Sequence, residues 1–333
     1  MFASSDGITK LPHQIEKFDG ATGELKAWVK VPTLSSSSDT IIYLYYGNGS
    51  ATDGQSVRNV WDANFKGVWH LSGSTLHTTD STSNANVGTN NGMTATLGKT
   101  DGGGYLNGSS NVAFGNTLSL SGNQTIGVWV NANFTPNAWA FPIIDKRSSD
   151  NANCNYALVY GYQDGVYKLD YAFNNGSSWV ELKLNTQLST GTWYWLSAVY
   201  DGSKQYLYIN GAEATSAATA IVPTTGGTQS AYFGYGIVDN RYFTGSFDEV
   251  RLSSTNRSAA WIKFEYYNMG ESDQELSFAA EESSGSGSSS SGGSNFFYFL
   301  NEASDPLEPN QCSSSSSSSS LRSSARFRRR SVL

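Results

Sequence analysis

Three histidines, His13, His70 and His77, and 28 acidic residues are the groups in this 333-residue chain with most to offer a reaction. The histidines show no metal-ligand spacing, and no Gly-x-Ser-x-Gly turn presents a nucleophile. No glycine-rich loop opens a helix, so the phosphate cradle of nucleotide-binding proteins has no support. The nearest acidic pair, Asp248–Glu249 in "GSFDEVRLS", lies in a strand-like run, where adjacent side chains point to opposite faces and cannot share a substrate. His70, in "GVWHL", reads as a residue packed in a strand.

Aromatic rings in polar surroundings suggest a different chemistry. Apolar sugar faces stack on flat rings, while Asn, Asp and Gln satisfy the hydroxyls around them. "TPNAWAFP", "NNGSSWVE" and "IVDNRYF" put Trp139, Trp179 and Tyr242 in such loop or strand-end settings. Each of the three also fits an ordinary sandwich or hairpin aromatic. Trp129, Trp193 and Trp195 fall mid-strand and are assigned to the core.

The elements that must hold these residues are strands. Only 15% of the residues are charged, against 34 Gly, 19 Tyr, 16 Phe and 9 Trp, a mixture that favours short strands and tight turns over helices. "LKAWVKVP" alternates Leu25, Ala27, Val29 and Val31 against Lys26, Trp28 and Lys30, and "TIIYLYYGNG" follows it. "TIGVWV", "VYKLDYAF", "TWYWLSAVY", "KQYLYI", "SAYFGY" and "FTGSFDEVRLS" read as further strands. Asp201–Gly202 and Asn210–Gly211 are hairpin turns, because these residues tolerate the positive φ of primed turns. Strands without intervening helices predict an antiparallel sandwich or barrel. One short helix is expected in "STNRSAAWIKFEYYNM", capped at Ser254 or Thr255.

The remaining composition narrows the class. Beyond Glu281 five arginines accompany four acids, so 16 basic and 24 acidic residues precede that point. The folded part is thus acidic and unsuited to nucleic acid. The Ser-rich segment beyond it, with eight consecutive serines and a terminal "RFRRR", is expected to be disordered. Cys154 and Cys312 could pair, remain free or bridge to another chain. No run approaches the roughly 20 apolar residues of a membrane span, and "MFASSDGITKLPHQ" shows no signal peptide.

"TGTWYWLSAVYDGSKQYLYINGAEA" (190–214), "FTGSFDEVRLSSTNRSAAWI" (243–262) and "GVWHLSGSTLHTTDSTSNANVGTNNG" (67–92) together resemble laminin G-like, concanavalin A-like lectin–glucanase jelly rolls. "FASSDGITKLPHQIEKFDGATGELKAWVKVPTLSSSSDTIIYLYYGNGSA" resembles a small β domain of unknown function that precedes such jelly rolls in prokaryotic surface proteins, with its first strand missing. The expected architecture is all-β: an incomplete β module over 1–62, an antiparallel two-sheet jelly roll over 63–272 and a disordered tail over 273–333.

The resemblance implies an extracellular or cell-surface setting and a non-catalytic module that binds polysaccharide or glycoprotein glycans, as an adhesion domain does. A purely architectural spacer and a divergent glycoside hydrolase are the alternatives. The glucanases of this group carry a Glu-x-Asp-x-x-Glu strand, which this sequence lacks, so no enzyme is expected. Related jelly rolls also imply a structural Ca²⁺, with Asp248 at the matching position of the final strand. Asp80, near Asn84 and Asn86, is a second candidate ligand and also fits an Asx-turn loop.

Overall fold

The computed structural model describes residues 1–34, 38–224 and 228–270, together with the backbone of strands at 276–283, 295–301 and 325–331. Two units are distinguished: Met1–Asp62 with Tyr267–Leu333, and Ala63–Tyr266.

The N-terminal segment contributes β1 (Phe2–Ala3), β2 (His13–Asp19), β3 (Glu24–Val31) and β4 (Thr40–Tyr46). β1 pairs with β4 and β2 with β3, both antiparallel. The alternation expected of β3 holds for Leu25, Ala27, Val29 and Val31, all buried. Trp28, placed by the same alternation on the polar face, is fully buried too. Its indole N–H donates to Glu16 at 2.7 Å and its ring meets Trp61 at 5.3 Å, so the second face is covered as well.

The second unit contains β5 (Phe65–Trp69), β6 (Thr89–Asn91), β7 (Thr94–Leu97), β8 (Gly102–Asn107), β9 (Asn111–Ala113), β10 (Gln124–Ala132), β11 (Phe141–Arg147), β12 (Cys154–Gln163) and β13 (Val166–Asn174). It continues with β14 (Trp179–Asn185), β15 (Trp193–Tyr200), β16 (Lys204–Ile209), β17 (Ala212–Ala218), β18 (Tyr232–Phe233), β19 (Tyr235–Gly236), β20 (Arg241–Tyr242) and β21 (Thr244–Ser253). Helix α1 (Ala259–Met269) follows.

One sheet runs β17-β16-β15-β10-β21-β8-β7, with β5 also on β21; the other runs β14-β13-β12-β11-β18-β9-β6. Every pairing within them is antiparallel. Two antiparallel sheets packed face to face around one core make the expected jelly-roll sandwich. The period of two decides which residues enter it: Tyr156, Leu158 and Tyr160 of β12 and Leu169, Tyr171 and Phe173 of β13 meet Val128, Val130, Leu196 and Ala198 from the opposite sheet. Each such side chain contributes about 1.5–3 kcal/mol by leaving water. The β16–β17 turn takes the predicted primed form, with φ of 51° at Asn210 and 77° at Gly211.

Several expectations need correction. "SAYFGY" is two strands, not one, because Gly234 adopts φ +74° and packs its Cα side against Leu106. The helix starts later than expected: Ser258, not Ser254 or Thr255, accepts the Trp261 amide at 3.1 Å. Trp129 and Trp195 are buried, but on the outer face of the first sheet under α1, where Tyr266 lies 5.7 Å from Trp129. Trp193, expected in the core, is only half-buried at the start of β15.

Asp248 and Glu249 do not follow simple alternation either. The β10–β21 register shifts between Gly127 and Trp129, and Glu249 takes φ +50° there.

In the segment expected to be disordered, β22 (Leu276–Ser283), β23 (Asn295–Asn301) and β24 (Ala325–Ser331) run as strands. β23 pairs parallel with β3, and β24 pairs parallel with both β4 and β22. The short N-terminal ribbons leave unpaired edge N–H and C=O groups, which such pairing satisfies. The run of serines and Cys312 lie outside the described residues.

Candidate functional site

The two carboxylates expected to hold calcium both belong to the first sheet and its loops. Asp80 is buried, and its Oδ1 accepts the amides of Val68 at 3.0 Å and Thr82 at 2.8 Å. Its Oδ2 accepts the Thr82 hydroxyl and the Asn86 amide, each at 2.9 Å. The side-chain amides of Asn84 and Asn86 donate to the carbonyls of Phe65 and Lys66. Asp248 Oδ2 accepts Lys99 N at 2.7 Å, Thr100 N at 2.8 Å and Thr100 Oγ1 at 3.0 Å. Hydrogens therefore point at both oxygens of Asp80 and at Oδ2 of Asp248, leaving one buried oxygen, Asp248 Oδ1, where Ca²⁺ requires several free of donors. These residues do not fit the ion; they clamp loops.

Beside Asp248 on β21 lies the Arg251 guanidinium. That guanidinium is shared by Glu249 at 2.7 Å and Glu265 at 2.8 Å, while His70 Nδ1 lies 2.5 Å from Glu249. Burial pushes the Glu249 carboxyl up, but His70 and Arg251 outweigh it and hold the group below the usual carboxylate range. This buried chain joins the end of β5 to β21 and α1, a structural task.

A different surface gathers chemistry. On the outer face of the second sheet the side chains alternating with the core residues come, strand by strand, from β14, β13, β12, β11 and β18. Lys183 lies opposite Asp170, which lies opposite Val159; Glu181 lies opposite Ala172, then Ala157, then Asp145, then Tyr232. Small residues thus form the middle of the face: Ala157, Val159 and Ala172 cluster with Cys154 and Ala140.

Trp139, from the loop between β10 and β11, packs on that cluster. Two features seat it. Ala138 O accepts the Tyr162 amide at 2.9 Å, and Gly161 lets the indole approach so closely that a Cβ there would come within 2.5 Å of the ring. Lys183 Nζ sits 5.3 Å from the ring centroid. The opposite wall is tyrosine: Tyr232 meets Tyr235 at 5.1 Å and Tyr235 meets Tyr242 at 4.5 Å, on the β19–β20 hairpin.

Between the walls lie two buried acids. Asp145 Oδ2 accepts Arg147 Nε at 2.7 Å and forms an ion pair with its Nη2 at 2.6 Å. Burial pushes its carboxyl up against the pull of Arg147. Asp170 is only 2% exposed, and burial, reinforced by nearby Glu181, pushes it up to about 8. The Oδ1 atoms of both acids are buried and accept no hydrogen bond from the described residues. Such acceptors are rare in folded proteins, each costing on the order of 1–3 kcal/mol unless something donates to it.

Of the ring residues expected from sequence, Trp139 and Tyr242 stand on the two walls of this face. Trp179 shares the face but lies at the far end of edge strand β14, opposite Asn174. Asp145, Asp170, Arg147 and Lys183 were not foreseen.

Residues 106–263 match the concanavalin A-like lectin/glucanase superfamily. Residues 1–79 match a domain of unknown function, DUF2341, so the order of modules expected from sequence holds. No curated protein matches the chain. Among solved structures, the concanavalin A-like domain is similar to domain 4 of AbnA, a GH43 extracellular arabinanase from Geobacillus stearothermophilus, determined with arabinotriose. That match has 21% identity and a TM-score of 0.51, covering 60% of this chain and 97% of that one. The binding domain of Paraclostridial Mosquitocidal Protein 1 matches at 13% identity and a TM-score of 0.50, covering 62% of this chain and 52% of that one. At these identities the likeness shows the fold.

Proposed function

We propose that the outer face of the second sheet binds carbohydrate, without catalysis, as the recognition module of an extracellular or surface protein. The observation that carries this reading is Trp139, half-buried against Gly161 with Lys183 over its ring and the exposed carboxylate of Glu181 beside that lysine, on a face whose other wall is tyrosine. Sugar hydroxyls are donors spaced around a ring whose apolar face stacks on indole, so one ligand class satisfies both features. Trp139 is the stacking platform, Glu181 accepts hydroxyls, and Tyr242 closes the other side.

The reading is one of binding because Asp145 is buried and held by Arg147 through a hydrogen bond and an ion pair, and is not a free nucleophile. The arabinotriose held by domain 4 of AbnA supports oligosaccharide as the ligand class. A full-chain glycan array, run with wild type and Trp139→Ala, tests it. Binding to one or more glycan classes that the variant loses supports the proposal; silence across the array returns the domain to an architectural role.

A further inference from the structure

Resting on that reading, we infer that the site takes an internal stretch of a neutral, linear polysaccharide and not a chain end, with Trp179 as a second, remote stacking platform. Trp179 is 37% exposed, an unusual state for so large an apolar side chain. β14 places it on the same face as Lys183, four residues further on; at the rise of a strand that separation is about 13 Å. Lys183 marks the position of Trp139, over whose ring its ammonium sits. The two indoles are therefore set too far apart for one sugar ring and in reach of several joined rings. Glu181 and Lys183 line β14 between them and offer hydroxyl partners along the way.

Charge selects the polymer. The cations of β11, β13 and β14 on this face each have an anionic neighbour: Lys183 with Glu181 at 2.9 Å, Lys168 with Asp164 at 3.0 Å and Arg147 with Asp145 at 2.6 Å. A uronic or sulfated sugar lying along β13 and β14 would find these cations already paired and would meet the Glu181 carboxylate. A neutral chain meets acceptors for its hydroxyls.

The test is a calorimetric titration of the full chain with neutral arabino-, xylo- and cello-oligosaccharides, from monosaccharide to hexasaccharide. Wild type, Trp179→Ala, Trp179→Phe and Trp139→Ala are compared, each checked for native circular dichroism. The expected result is affinity that climbs with chain length for one series. Trp179→Ala should lower hexasaccharide affinity about tenfold, the loss of roughly one stacking contact, while leaving the shortest ligands unchanged. Trp179→Phe should restore part of the loss. Affinity independent of length and of Trp179, yet lost in Trp139→Ala, overturns this inference and leaves the binding site intact. No binding by any series, or binding untouched by Trp139→Ala, overturns the site itself and the inference with it.

Discussion

Replacing Asp170 by Asn should make the protein more stable at alkaline pH, by an amount that grows with pH in a defined window. An aspartate in an unfolded chain titrates near 3.9, whereas burial pushes folded Asp170 up to about 8. The folded state therefore holds this proton more tightly than the unfolded state does. Stability from the group is complete below about pH 4, declines as pH rises, and is lost once pH passes about 8. Each unit of difference corresponds to 1.36 kcal/mol, so four units are on the order of 5 kcal/mol for a side chain 2% exposed.

Asn has nearly the shape of the protonated acid and no proton to lose. The stability difference, variant minus wild type, should be small at pH 4, rise by about 1.4 kcal/mol per unit, and level off above pH 8. Slopes from Asp145 and other groups are common to both proteins and cancel. Urea unfolding of the two full-length chains, followed by near-ultraviolet circular dichroism at closely spaced pH values, measures this difference. Parallel stability curves from pH 4 to 9 would refute the reasoning and mean that Asp170 is hydrated.

Other outcomes follow from the same geometry. Gly161→Ala places a methyl within 2.5 Å of the Trp139 ring and should reduce glycan affinity at least tenfold with a small change in melting temperature; an unchanged affinity in calorimetry would show that the indole can move freely. Leu169→Ala, in the core between the sheets, should cost about 2–5 kcal/mol in urea unfolding. Melting curves in millimolar calcium and in chelator should superimpose, because donors already occupy both oxygens of Asp80 and Oδ2 of Asp248; a shift of several degrees would restore the metal site. Burial also pushes the Cys154 thiol far above its ordinary range, so it should resist a thiol-specific dye until urea unfolds the chain; prompt labelling of the native protein at Cys154, located by peptide mass mapping, would contradict its burial.

The strands that were legible in the sequence are those with one wet face. In "VYKLDYAF" the alternation separates Leu169, Tyr171 and Phe173 from Lys168, Asp170 and Ala172, and the structure keeps that division. β11 and β12 escaped notice because both of their faces are covered. "CNYALVYGYQ" is a near-continuous apolar run, lacking the polar beat by which a half-buried strand is recognised.

The same double coverage hid half of the site. An outward Asp between Lys and Ala reads as solvated, yet Asp170 is buried, and its neighbours Val159 and Ala172 carry Trp139 from a loop distant in sequence. Trp139 and Tyr242 were legible because polar loops rarely carry bare rings without cause. Asp248 misled for a related reason: its place in the final strand is visible in sequence, but the Lys99 and Thr100 amides that occupy it come from the turn after β7.

The most direct test of the binding site is a crystal structure of the chain with an oligosaccharide that binds it in solution. The expected result is a sugar ring stacked on Trp139, with a hydroxyl donating to the Glu181 carboxylate. A ligand seated on the first sheet, or on loops remote from Trp139, would contradict it.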